Sequence, residues 1–466
     1  SSGAWHEIKR AHMIGIAGNG MQALAQVLLE RGWRLTGSDL DPSRAAWLSR
    51  REVRVSAGHS PDYVPAYADV VIYSDAVPED NPERRRASQL GLAVRSYPAM
   101  LGELMHQRVG LAVAGTHGKS TTTAMAAAIL DRAGASPTVV CGGVPMGSHS
   151  GGRRGRGQLL LVEACEYRAN FLQLSPRLAV VLGIEPDHFD CFPSQESLEK
   201  AFAAFVGRVP ADGLVLAQAN CAATRRVVAF AACRVVTFGV QAAADWRAVQ
   251  VRGLRGRYTF RISRRGRRLG DVKLAVAGRH QVANALAAAA LAGECGVGGS
   301  EIVGALSAFA GLRRRFELVS DAAGVVILDD YAHHPTEIAA TLATVREAYP
   351  GRRIWCVFQP HQASRTRFLL DDFAASLENA DCIAVTEVFA AREVPGDSTT
   401  VLAAALAKRV RARGKLVLTA HGTNDILEHV FAALTPGDVL ITLGAGDIRK
   451  ACDAFARRFR SDCAAC

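Results

Sequence analysis

The run Gly115-Thr116-His117-Gly118-Lys119-Ser120-Thr121-Thr122-Thr123 follows an apolar stretch beginning at Gly110 and opens a helical pattern reaching about Ala133. A strand that ends in small residues and turns directly into a helix fits a parallel sheet, with the turn at the sheet's carboxyl edge. Backbone N–H groups in such a turn point outward, where they can meet phosphate oxygens. Lys119 can then reach β- and γ-phosphates, and the Ser120 hydroxyl can ligate Mg²⁺. The spacing is a shortened form of the usual phosphate-loop pattern. Its strand–loop–helix setting favours nucleotide binding over a plain helix cap.

The same rhythm recurs along the chain. Strands are expected at His12–Ala17, Leu35–Ser38, Val53–Ala57 and Asp69–Ser74, with a helix to about Arg31 after the first. The turn Gly18-Asn19-Gly20-Met21-Gln22-Ala23 fits GxGxxA, and Asp39 follows about 20 residues later. That is the pattern of a βαβ unit whose helix N-terminus approaches a diphosphate. Further strands are expected at Leu159–Glu163 and Leu178–Ile184, hairpins between Leu214 and Val276, and a helix over Gln281–Gly293. Gly311–Glu317 reads as a hinge. Beyond it, strands are expected at Val325–Leu328, Ile354–Phe358, Cys382–Val385, Leu416–Thr419 and Val439–Leu443.

The expected fold is therefore α/β in three domains, which suits 466 residues. They are a Rossmann-like domain (1–106), a central P-loop ATPase-like domain (107–317) and a Rossmann-like C-terminal domain (318–466).

Composition narrows the class. Apolar residues make up 49% and charged residues 21%, which is globular. No apolar stretch approaches the roughly 20 residues needed to span a bilayer, and Ser1–His12 lacks a secretory signal's apolar middle. A cytoplasmic protein is expected. Eleven scattered cysteines read as reduced thiols, and Cys463-Ala464-Ala465-Cys466 reads as a tail rather than a zinc site. The net charge of +11 fits anionic substrates; its arginine clusters lack the interleaved aromatics of a nucleic-acid motif, so no nucleic-acid partner is expected.

Two strand ends offer metal ligands. Glu163 reads as a ligand or as a surface carboxylate, and His188 as a ligand or as a loop histidine bonded to Asp187 or Asp190. The densest polar run is Asp329-Asp330-Tyr331-Ala332-His333-His334-Pro335-Thr336-Glu337, followed one strand later by Phe358-Gln359-Pro360-His361-Gln362-Ala363-Ser364-Arg365-Thr366. Both lie at a sheet's carboxyl edge, which favours a site over packing. His361 and Arg365 could hold a small carboxylate there.

Taken together and in order, GIAGNGM, GSD, DNPE, GTHGKSTTT, VEACEYRANFL, IEPDHFD, GRHQVAN, GLRRRFE, DDYAHHPTEI, FQPHQASRT and GAGDI resemble the Mur ligases, the ATP-dependent amino-acid-adding enzymes of peptidoglycan synthesis. The resemblance covers nearly the whole chain. It implies a UDP-sugar at Gly18, Asn19, Gly20, Met21, Ser38, Asp39 and Ser74. ATP would lie on Gly115, Thr116, His117, Gly118, Lys119, Ser120 and Thr121, with His280, Asn284, Arg315 and Asp330 around it. Mg²⁺ would be placed by Ser120, Glu163 and His188. An incoming amino acid would meet Tyr331, His333, His361 and Arg365. Lys119, Arg315 and His188 would be catalytic.

The implied reaction joins L-alanine to the carboxylate of UDP-N-acetylmuramate through an acyl phosphate, in a monomer or weak homodimer. Two departures stand out: the family's EADES is Glu163-Ala164-Cys165-Glu166-Tyr167 here, and an arginine frequent after the Pro-His pair is Gln362. Competing readings are a ligase that adds a whole tripeptide to the same UDP-sugar, a nicotinamide-dependent dehydrogenase argued from GxGxxA and Asp39, and a non-catalytic nucleotide sensor. The dehydrogenase reading leaves the GTHGKS loop without a task.

Overall fold

The structure is a computed structural model that describes residues 10–391, 393, 398–419 and 423–464. The Cys463–Cys466 pair lies outside the side chains it describes. Three sheets divide the chain.

The first is parallel, with β1 (Arg10–Ile14), β2 (Arg34–Asp39), β3 (Arg54–Ala57), β4 (Val70–Tyr73) and β5 (Ala93–Ser96) in the order β3-β2-β1-β4-β5. The first strand ends earlier than its apolar run suggests. Ile16 and Ala17 are fully buried, yet they belong to the turn, because an apolar run reports burial rather than extended backbone. The turn is made by Gly15, at φ 77, where a Cβ would stand 3.0 Å from that of Ser74. Gly18 instead precedes the helix Asn19–Glu30, with an ordinary φ of −64.

The central sheet has ten strands: β6 (Val109–Ala114), β7 (Thr138–Val140), β8 (Gly152–Arg153), β9 (Leu159–Glu163), β10 (Leu178–Val181), β11 (Leu214–Gln218), β12 (Arg234–Val240), β13 (Trp246–Leu254), β14 (Arg257–Arg264) and β15 (Arg267–Ala277). The expectation of hairpins throughout Leu214–Val276 holds only for β13–β14–β15; β11, β12 and β13 pair in parallel, with the helix Ala222–Val228 crossing between the first two. Short crossover helices carry too few residues to show a clear helical period. The alanine-rich helix His280–Glu294 packs against the phosphate-loop helix Lys119–Arg132, and both sink into one core.

The third sheet holds β16 (Glu317–Ala322), β17 (Val325–Asp330), β18 (Ile354–Phe358), β19 (Cys382–Val385), β20 (Leu416–Thr419) and β21 (Val439–Leu443) in the order β16-β17-β21-β18-β19-β20. It is parallel apart from β16. Glu317 opens this sheet. The chain passes between the two sheets at one peptide link. Arg313 N donates to Val144 O at 2.8 Å on the central side. Arg314 donates to Gly444 O, Gly446 O and Asp329 on the C-terminal side. Arg314 and Phe316 take left-handed φ values of 56 and 50.

Candidate active site

The phosphate loop runs from β6 to the helix at Lys119 through Gly118, at φ 80. A Cβ on Gly118 would stand 2.3 Å from Asn284 Oδ1, so the loop and the helix His280–Glu294 meet face to face. Asn284 donates to Gln281, whose amide contacts His280 Nε2 at 3.0 Å. The expected residues His280 and Asn284 thus share the loop's wall. Thr116 is fixed by a reciprocal pair with the Glu185 backbone, 3.0 Å and 2.9 Å long. Thr121 is buried.

Lys119 folds over the loop, donating to the carbonyls of Gly115 and Thr116 and to Glu166 at 2.9 Å. Burial disfavours its charge, but Glu166 more than compensates and lifts the amine to about 12. It is a fixed cation at any physiological pH. Glu166 was not singled out from the sequence. Its signal was its place three residues past the strand-end Glu163, and its task depends on Lys119, 47 positions away.

Ser120 Oγ lies 2.9 Å and 3.0 Å from the two oxygens of Glu163, which also accepts from Gly142 N. A hydroxyl at the end of the phosphate loop and a carboxylate at the end of the adjacent β9 are the donor set that suits Mg²⁺. His188 does not join them here: its Nε2 faces Glu166 at 3.6 Å, on a left-handed backbone at φ 54. Its Nδ1 is buried without a partner among the described residues. The residues present therefore fit the ion, with Ser120 and Glu163 already together and His188 carrying an unused nitrogen.

The C-terminal cluster forms as expected. Tyr331 lies 5.1 Å from the guanidiniums of both Arg314 and Arg315, and its ring meets His333, which in turn meets His361. Burial lowers His333 and His280 to about 4, so both are neutral imidazoles. Arg365, 2% exposed, gives its Nε to Asp187 at 2.8 Å and Nη1 to His361. Asp330 accepts from the amides of Phe316 and Ala332, and burial pushes its carboxyl up to about 6 even with Arg315 close by. Burial opposes the charge on Arg315, and Glu337 and Asp330 restore it.

His117 ties the two halves. Nε2 meets Glu185 at 3.3 Å and Nδ1 meets Glu337 of the C-terminal domain at 3.1 Å. Burial works against protonation, but the two carboxylates outweigh it and raise the imidazole to about 9. His117, Glu185 and His334 could geometrically share a metal ion. However, both nitrogens of each histidine are already engaged: those of His117 by carboxylates, those of His334 by Pro186 O and Thr336 N. The group reads as a charged clasp.

In the N-terminal domain, Asn19 is exposed beside Gly18 and Gly20, while Met21 is buried behind them. Asp39 accepts from Ala17 N at 2.8 Å, bracing the glycine turn. Ser38 is fully buried and donates to Glu83, which also meets His12 and His59. Ser38 therefore supports the turn from below rather than lining its outer face. Ser74 and Tyr97 form one wall of a cavity of about 150 Å³ whose other wall includes Glu163, Cys165 and Tyr167. That cavity joins the first domain to the Glu163 carboxylate.

Three family descriptions match in chain order: "Mur ligase family, catalytic domain" over residues 10–109, "Mur ligase middle domain" over 113–292, and "Mur ligase, glutamate ligase domain" over 314–446. The UDP-N-acetylmuramate–L-alanine ligase of Salinibacter ruber is 40% identical over 98% of this chain and 96% of its own length. The chain belongs to the Mur ligase family. The corresponding Geobacter enzyme is 39% identical over 98% of each chain. Among solved structures, this Mur ligase resembles the UDP-N-acetylmuramate–alanine ligase of Thermotoga maritima (TM-score 0.83, 28% identity, 97% and 99% covered). It also resembles a murein peptide ligase from Psychrobacter arcticus (TM-score 0.75, 26% identity, 97% and 98% covered). Among the described residues of this Mur ligase, no helix is long and apolar enough to cross a membrane.

Proposed function

We propose that the chain is an ATP-dependent ligase that joins L-alanine to the carboxylate of UDP-N-acetylmuramate in peptidoglycan precursor synthesis, in the cytoplasm. Full-length similarity to ligases of that name supports the reading. The observation that carries it is the clasp at His117, which sets the Lys119–Ser120 loop against the Tyr331–His333–His361–Arg365 cluster.

The muramate carboxylate, entering through the cavity between Ser74 and Glu163, attacks the γ-phosphorus of ATP. A P–O bond forms, the bond to the β-phosphate oxygen breaks, and ADP leaves. The alanine amine then attacks the acyl carbon, and inorganic phosphate departs. Ser120, Glu163 and His188 would hold Mg²⁺, which supplies charge neutralisation on the phosphates when bound. Lys119 and Arg315 add fixed positive charge, the main requirement of phosphoryl transfer. Neutral His333 and His280 present lone pairs or N–H groups without adding charge. Packing of the C-terminal domain over the loop limits water, to which an acyl phosphate is vulnerable.

The test is phosphate release from ATP and UDP-N-acetylmuramate with either L-alanine or the L-alanyl tripeptide as acceptor. Release with alanine is expected; release confined to the tripeptide would overturn the assignment.

A further inference from the structure

The positive charge of this chain is concentrated in one place. Residues 246–279 carry eleven arginine and lysine side chains against the single carboxylate of Asp271, a net +10 of the chain's +11. The rest of the chain holds 44 cations against 43 carboxylates. The segment spans the three-stranded hairpin β13–β14–β15 at the far edge of the central sheet. β12, β11 and β10 separate it from β6 and the phosphate loop, about 20 Å at ordinary strand spacing. Arg255 and Arg257 stand around the turn between β13 and β14, and Arg265, Arg267 and Arg268 around the turn between β14 and β15. β13 runs parallel to β6 through the strands between them, so the first turn lies at the phosphate loop's edge of the sheet and the second at the opposite edge. A field that steers ATP or a UDP-sugar would be focused on the first edge alone.

Strand alternation sorts the hairpin into two faces. Trp246, Tyr258, Phe260, Val272 and Leu274 are buried in the core that the helices His280–Glu294 and Gly299–Ala308 complete. The opposite face carries Arg252, Thr259 and Lys273 abreast on the three strands, with Arg257 beside Leu254. All five are exposed, Leu254 at 79%. Among the described residues, Arg252, Arg255, Arg257, Arg267 and Lys273 form no ion pair, and Arg261 and Arg268 share Asp271. Like charges abreast on a sheet repel, and a partner that brings negative charge relieves them. Two features select that partner. The hairpin's aromatic rings, Trp246, Tyr258 and Phe260, all lie on the buried face, so none can stack on a base. Leu254 instead stands out among Arg252, Arg255 and Arg257, and an apolar side chain ringed by cations suits a lipid headgroup layer. We propose that the outer face of β13–β15 is a docking surface for an anionic lipid bilayer, held by the arginine and lysine charges and anchored by Leu254.

The test is co-sedimentation of the full chain with vesicles of phosphatidylcholine alone or mixed equally with phosphatidylglycerol. Binding to the mixed vesicles only is expected at roughly 0.15 M salt, with its loss at about 1 M, where charges are screened within a few ångströms. Each cation near an anionic surface changes the partition roughly fivefold, so Arg252→Gln, Arg257→Gln and Lys273→Gln together should lower it about 100-fold. Leu254→Ser keeps every charge and should lower it roughly tenfold. The melting temperature should be unchanged in both variants, because all four side chains are exposed. Where the triple variant melts early, Arg257→Gln alone carries the test, with a loss of about fivefold. Equal binding to both kinds of vesicle, binding to neither, or undiminished binding by the variants overturns the proposal. So does tighter binding to polyuridylate or duplex DNA than to the mixed vesicles, which assigns the face to nucleic acid.

Discussion

Arg365 donates to Asp187 at 2.8 Å across the boundary between the C-terminal and central domains, with both side chains almost fully buried. The same Asp187 oxygen accepts from the backbone N of His188 at 2.7 Å. A residue of the proposed amino-acid pocket and one of the proposed metal site thus hang on one atom. Burial opposes the charge of Asp187, but Arg365 holds the carboxyl well below the usual range. Removing one member of a buried pair strands the other, so Asp187→Asn is expected to lower unfolding stability by roughly 3–5 kcal/mol. The pair's contribution is present above the ordinary carboxylate pKa and is lost as pH falls beneath it. Urea titrations at neutral and acidic pH should therefore show the parent converging on the variant as pH drops.

Lys119→Ala removes the fixed cation of the phosphate loop. Ligation is expected to fall by roughly 10²–10³-fold. UDP-N-acetylmuramate binding, measured calorimetrically, should persist, because the glycine turn at Gly15–Gly18 lies in a different sheet. Loss of both together would mean that the lysine serves folding.

Glu163→Gln keeps the size of the side chain that meets Ser120 and removes its charge. The Mg²⁺ concentration for half-maximal activity is expected to rise roughly tenfold or more. Excess Mg²⁺ should restore much of the rate; a variant indifferent to Mg²⁺ would remove Glu163 from the ion's ligands.

The clasp at His117 predicts an alkaline limit. Its imidazolium contributes fully below the unfolded value near 6.5, and that contribution disappears as pH rises through about 9. Limited proteolysis at the domain boundary should accelerate over that interval. In His117→Gln the acceleration should be present at neutral pH and nearly flat with pH.

Glu83 is fully buried beneath the glycine turn and bonds Ser38, His12 and His59. Glu83→Leu would leave those three donors unsatisfied, at a cost of about 3 kcal/mol or more to the first domain. A lower melting temperature with weakened UDP-sugar binding is the expected pair of observations.

Much of this was legible in the sequence, and the reasons are physical. Buried parallel strands are continuous apolar runs, so Ile354–Phe358, Cys382–Val385 and Val439–Leu443 fall where their composition places them. The phosphate loop was readable because its residues act together within a few positions. The turn of the first domain was misplaced by three residues, since buried Ile16 and Ala17 extend the apolar run past the end of β1. Glu166 and Glu337 were passed over, and Asp187 was read only as a neighbour of His188, which its carboxylate does bond, and not as the partner of Arg365, for another reason. Each acts on a partner 47 to 220 positions away, and no local spacing records such a pairing.

One peptide link separates Arg313, bonded to the central sheet through Val144, from Arg314, bonded to Gly444 and Gly446 of the C-terminal sheet. Arg315 lies beyond that link, held by the Tyr331 N to Arg314 O and Phe316 N to Asp330 bonds on either side. Its own N donates back to Leu312 O at 3.3 Å, so Arg315 sits at the junction with bonds to both sides. On the proposed assignment, that junction couples the charge of Arg315 on the phosphates to the docking of the C-terminal cluster, so the fold would act as an interlock between arming the muramate carboxylate and seating the alanine.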